Sequence, residues 1–239
     1  MPDDHRDAEE PRLRHGPGRK VVYPLARAGN LEYDRVLFFS DAVFAIAITL
    51  LVVDLRVPEA VAHVVATQEL HDAISSIIGF AISFAVIGVF WVGHHSLFRY
   101  IKAFDRRLIL LNLLFLGIIA FLPYPTQLLS VTSTNQTAAV VFYAVCAGAA
   151  GLAEAAVWAY GTWPRLGLSP PISAGLRRYL LLRTLRLPVI FGLSIPVAFL
   201  APTAATVVWA LVAVAGVVID RTAPFESAEP AEPDPDPGL

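Results

Sequence analysis

The chain is poor in what a soluble enzyme or a small secreted domain is built from. It has a single cysteine, Cys146, set in an apolar run, so it has no disulfide framework and the residue reads as a small packed or lipid-facing side chain. Only 16% of its 239 residues are charged, against roughly 25% in a soluble domain. It holds no Gly-rich phosphate loop, no Gly-x-Ser-x-Gly, no His-x-x-x-His spacing and no pair of intramembrane carboxylates. These absences argue against an enzyme, a cofactor and a resident metal, and nothing in the composition calls for a nucleic-acid partner. Residues 1–30 have no apolar core of signal-peptide type, so no cleavage is expected. No internal repeat stands out.

What the chain does have is apolar length. Hydrophobic residues make up 56% of it, gathered into long runs between short basic loops. A membrane span needs about 20 apolar residues, and six segments qualify: 35–57, 72–101, 107–131, 136–160, 177–200 and, shortest, 203–219. Backbone groups in lipid must be satisfied internally, so these runs are read as helices. The expected fold is an all-α membrane protein with six transmembrane helices. Pro188 and Pro196 each remove a donor from the fifth span, and Pro123 and Pro125 distort the outer part of the third.

Orientation follows from the distribution of Lys and Arg. Of 18 such residues, seven lie in 1–35, four are Arg99, Lys102, Arg106 and Arg107, and five are Arg165, Arg177, Arg178, Arg183 and Arg186. Arg221 follows the last span, and Arg56 alone falls on the other side. The positive-inside rule then places both termini in the cytoplasm of a multi-pass cell-membrane protein. Residues 1–30 and the acidic, Pro-rich 222–239 cannot bury a core and are expected to be disordered tails flanking a membrane domain at 31–221.

The first span is the most informative stretch. At 100° per residue, Phe39, Ile46, Leu50 and Val53 form one narrow apolar stripe along it, with Thr49 on the flank and Asp41 nearly opposite. Periodicity alone reads such a stripe as lipid contact or packing. Arg35, Ser40 and Asp41 make a polar patch at the cytoplasmic end. Ionisable groups beside a span are costly and call for partners. The second span ends Phe90-Trp91-Val-Gly-His94-His95, and the third begins with Asp105 and reaches Asn112. Arg35, Asp41, Trp91, His94, His95, Asp105 and Asn112 therefore fall at similar depth, and a shared network tying three helices together is the economical expectation.

The adjacent His94 and His95 point 100° apart and do not suit one metal ion. His63 and His71 are assigned to the outer loop, and Asp54 to the outer end of the first span. Glu154, the one carboxylate deep within a span, has no evident partner.

These residues resemble a known family. Arg35-x-x-x-Phe39-Ser40-Asp41 running into Ala-Ile-Ala-Ile-Thr-Leu-Leu-Val is similar to the signature of the transmembrane protein 175 family. So are Phe-Trp-Val-Gly-His-His, Leu-Asn-Leu-Leu-Phe-Leu and Phe-Leu-Pro-Tyr-Pro-Thr. The resemblance is close over the first three spans and rests on hydropathy and length over the last three. It implies a cation channel with modest preference for K+ over Na+. A chain with one motif resembles the prokaryotic form, a homotetramer around a central pore lined by the first helix. The resemblance also assigns the constriction to Ile46, with Leu50 and Val53 further out. Thr49 matches a position that bears on selectivity, and Arg35, Phe39, Ser40 and Asp41 match the positions that anchor the first helix. The implied partners are K+, other monovalent cations, the lipid bilayer and further copies of the chain. A proton-conducting channel or a proton-coupled secondary transporter is the alternative, and a membrane enzyme built on His94, His95 and Asp105 a third.

Overall fold

The computed structural model describes residues 29–53, 55, 67–131 and 136–209. All regular structure in this part is helical: α1 (Gly29–Val53), α2 (Thr67–Phe98), α3 (Arg106–Phe121), α4 (Pro123–Val131), α5 (Gln136–Gly161) and α6 (Ala174–Leu200). Residues 202–209 are helical as well. Five helical stretches are long and apolar enough to cross a membrane, the third being α3 and α4 taken together. The sixth expected span, 203–219, is described only up to residue 209. Asp54, His63, Arg56 and both tails lie outside the described residues.

Several boundaries differ from the sequence reading, and α1 already begins at Gly29 where the first span was expected from residue 35. The third span is not one helix: Leu122 interrupts it. Pro123 has no N–H to give Ile119, and its ring would press on that carbonyl. The Leu122 amide takes the Ile119 oxygen instead, at 3.1 Å, closing a tighter turn before α4 begins. The second helix also begins earlier than expected, at Thr67, so His71 belongs to α2 and not to a loop.

Helix starts follow local chemistry. Asp105, extended at φ −113° and ψ 169°, caps α3 by accepting from the Leu108 amide at 2.8 Å. Ser173 caps α6 in the same way through Leu176, at 3.2 Å. The loops at this end of the bundle are tied together, since the Lys102 and Ala103 amides both donate to the Leu168 carbonyl, at 2.9 and 3.0 Å. The chain reaches that position through Gly167, at φ +66°.

Lipid tails supply no hydrophobic drive between helices, so packing must come from close approach. The buried face of α5 accordingly reads Ala139, Ala144, Ala147, Ala150, Gly151 and Ala155. Gly151 seats the ring of Pro188: a Cβ there would lie 2.5 Å from the proline Cδ and 3.2 Å from its ring nitrogen. Neither atom can swing aside. Gly151→Ala is therefore expected to cost about 1–3 kcal/mol by overpacking, read as a lowered melting temperature of the detergent-solubilised protein. Around this seam Phe44, Phe90, Phe115, Tyr143, Phe191 and Trp209 complete a core that runs through every long helix.

Candidate functional site: the first helix and its anchors

The helix α1 has two faces set by its neighbours. Ser40, Phe44, Ala47 and Leu51 recur at i, i+4, i+7 and i+11 and are buried against α2 and α3. That face is centred about 130° around the helix from Ile46. The apolar stripe is on the open side: Phe39 is 51% exposed, Ile46 58%, Leu50 44% and Val53 77%. Thr49, also exposed, donates to the Ile46 carbonyl at 2.9 Å.

At the end of the bundle where α2 stops and α3 starts, three side chains form one buried chain of hydrogen bonds. Ser40 Oγ donates to the Val36 carbonyl at 2.9 Å, which leaves its lone pairs to accept from Asn112 Nδ2 at 3.1 Å. Asn112 thus turns its Oδ1 to His94 Nε2, 3.0 Å away, and the ring must carry its proton on that nitrogen. Each group donates to the next: His94 to Asn112, Asn112 to Ser40, and Ser40 to the Val36 carbonyl, which ends the chain as acceptor. The imidazole is wedged among Phe44, Phe98 and Phe115, stacked on the last at 5.6 Å with 15° between the planes. A neutral histidine suits that aromatic cage.

A second, separate anchor lies on the outer side. Trp91 Nε1 donates to Asp41 Oδ1 at 2.8 Å, and His95 stacks on Trp91 at 5.8 Å. All three are exposed, so the bond is worth at most about 1 kcal/mol. Trp91→Phe is expected to leave the melting temperature nearly unchanged, and a large drop would show that this pair is buried in the assembled protein.

The single network expected from depth is thus divided. Asp105 takes no part in it: one carboxylate oxygen caps α3, and the other accepts from Tyr160 of α5. Arg35 is exposed and stands apart from the buried chain. His95 faces outward while His94 faces in, and among the described residues no group of His, Cys, Asp and Glu comes together that could hold a metal. Depth along a helix was legible, but azimuth was not. Tyr160 and Tyr33, which donates to the Phe98 carbonyl, were missed, because an aromatic at a span's end reads simply as an interfacial residue.

The sequence profile described as endosomal/lysosomal potassium channel TMEM175 matches residues 35–123, the stretch that holds Ser40, Asp41, Trp91, His94 and Asn112. Residues 35–123 thus resemble the TMEM175 family. A Streptomyces collinus protein named as a potassium channel is 41% identical over 130 residues, which cover 53% of this chain and 63% of that protein. A zebrafish relative, named endosomal/lysosomal proton channel TMEM175, is 30% identical over 132 residues, or 53% of this chain and 24% of the relative. Neither relative is matched over two thirds of its length. The solved structure of a lysosomal potassium-selective channel TMEM175 homologue from Chamaesiphon minutus shares the fold with a TM-score of 0.70. It covers 80% of this chain and 98% of the other, at 27% identity. That TMEM175 likeness extends past residue 123, so the later helices continue the same architecture.

Proposed function

We propose that this chain assembles as a homotetramer around a central pore and conducts potassium and other monovalent cations. The pore is lined by α1, and its constriction is formed by Ile46, Leu50 and Val53, with Thr49 tuning a modest preference for K+ over Na+. The observation that carries this reading is the open apolar stripe on α1 opposite a fully packed face. One α1 per chain cannot enclose a path, whereas symmetry-related copies around an axis can. Aliphatic rings gate by dewetting, and dilation lets partly hydrated ions through. In this reading residues 31–221 are the channel domain, 1–30 and 222–239 are tails, both termini are cytoplasmic, and the protein sits in the cell membrane. The buried chain of Ser40, Asn112 and His94, with Asp41 and Trp91 beside it, holds α1 at its inner end, where Arg35 enters. The names of the Streptomyces and Chamaesiphon proteins support the ion assigned.

The second reading, proton conduction, draws on the name of the zebrafish relative. A proton-coupled transporter would need a polar site at the middle of the membrane, and Glu154 is the one buried carboxylate among the described residues. The deciding experiment is to reconstitute purified protein in planar bilayers and read reversal potentials under potassium, sodium and proton gradients. Discrete current steps that reverse near the potassium potential support the proposal. Reversal at the proton potential, or transport without unitary steps, replaces it. The enzyme alternative loses its cluster, because Asp105 and His95 point away from His94.

A further inference from the structure

The carboxylate of Glu154 has a place that the conduction path does not explain. It is 97% buried on α5, and its Oε1 has no protein partner. The buried Nε of Arg186, on α6, has none either. Both side chains line a single cavity of about 30 Å³, together with Arg183 and Thr184 of α6 and Gly93 of α2. The α2 wall of this cavity is bare backbone because residue 93 is glycine: a Cβ there would come within 2.7 Å of Glu154 Oε1.

The chemistry of the walls selects the occupant. A cation would meet the guanidinium groups of Arg183 and Arg186, and an anion would meet the Glu154 carboxyl. A neutral ligand that donates to Oε1 and accepts from Nε–H satisfies both orphan atoms at once. The volume exceeds the roughly 10–15 Å³ that a single water needs and leaves no room for a larger ligand. Thr184 Oγ1 donates to the Leu180 carbonyl at 2.9 Å and keeps a lone pair for a third contact. We infer that this cavity is an internal water site, in which an ordered water bridges Glu154 of α5 to Arg186 of α6 beneath Gly93 of α2.

The site stands next to the anchors of α1. Gly93 precedes His94 and lies two residues beyond Trp91, so the bridged pair supports the turn of α2 from which both anchors project. Buried polar groups of this kind are satisfied by water more often than left bare. The site lies inside one protomer and is independent of which ion the pore carries.

The test uses the full chain in lipid bilayers and water-edited solid-state NMR. Magnetisation transferred from water should reach the Arg186 Nε–H as fast as it reaches amides at the membrane interface. In Glu154→Leu, which removes the acceptor while keeping the bulk, that transfer should fall several-fold. Glu154→Gln keeps a carbonyl acceptor and should retain it, which separates loss of the water from misfolding. Absence of transfer in the unaltered protein overturns the site. So does a direct Glu154–Arg186 ion pair in a structure fine enough to show waters, or density running from the cavity into a lipid tail.

Discussion

Ile46→Asn is expected to raise unitary conductance about tenfold and to flatten the preference for K+ over Na+. Ile46 projects from the open face of α1, and in the tetrameric reading its copies converge on the axis. A ring of such side chains repels water, and the ion must then shed hydration with nothing offered in return. An amide at the same position can hydrogen-bond water and keep the constriction wet. If wetting removes about 1.4 kcal/mol from the barrier, throughput rises about tenfold. Selectivity should fall with it, because a wet, wider passage asks both ions to give up less of their shells. Single-channel recording in symmetric and bi-ionic potassium and sodium solutions reads both effects. Currents identical to those of the unaltered chain would move the constriction off this stripe.

Asn112→Ala should be the most damaging change among the anchors, lowering stability by about 2–4 kcal/mol. It strands His94 Nε2–H in an aromatic cage, and a buried donor without a partner costs about 1–3 kcal/mol. It also leaves a cavity where the amide stood. Ser40 suffers less, since its hydroxyl still donates to Val36. Ser40→Ala strands one Asn112 N–H but keeps the His94–Asn112 bond and removes a single atom, so it should cost less than Asn112→Ala, and Trp91→Phe less again. Melting temperatures of the three variants in one detergent give the order. A reversed order would mean that the exposed Asp41–Trp91 pair carries the weight, as it would if covered by a neighbouring copy.

Much of this was legible in the residues themselves. Apolar run lengths located the five fully described spans to within about six residues at each end, because the cost of exposing backbone to lipid leaves no alternative to a helix. The Arg35-x-x-x-Phe39-Ser40-Asp41 stretch and the Trp91 to His95 stretch named the helices that would meet. Where the reading failed, the cause was azimuth or a local break. Asp105 shares the depth of the polar network, yet its position just before Arg106 makes it a helix cap, and Tyr160 takes its second oxygen. Pro123 and Pro125 announce a distortion in the third span, but hydropathy does not show that the missing N–H at Pro123 divides it into two helices.

Glu154 marks the boundary between the two kinds of knowledge. Its sequence neighbours are alanines and offer no partner. Only the crossing of α5 with α6, made close by Gly151 against Pro188, brings it to the cavity it shares with Arg186 and Gly93. The sequence by itself determined that the chain is helical and membrane-spanning and that its first spans resemble this family, because run length, charge distribution and motif are properties of neighbours along the chain. The tertiary structure decided which face of α1 is packed and which is open, that His94 turns inward and His95 outward, and that two separate anchors hold the first helix. Those are properties of helix rotation, set by side chains far apart in sequence that must satisfy one another where water is absent.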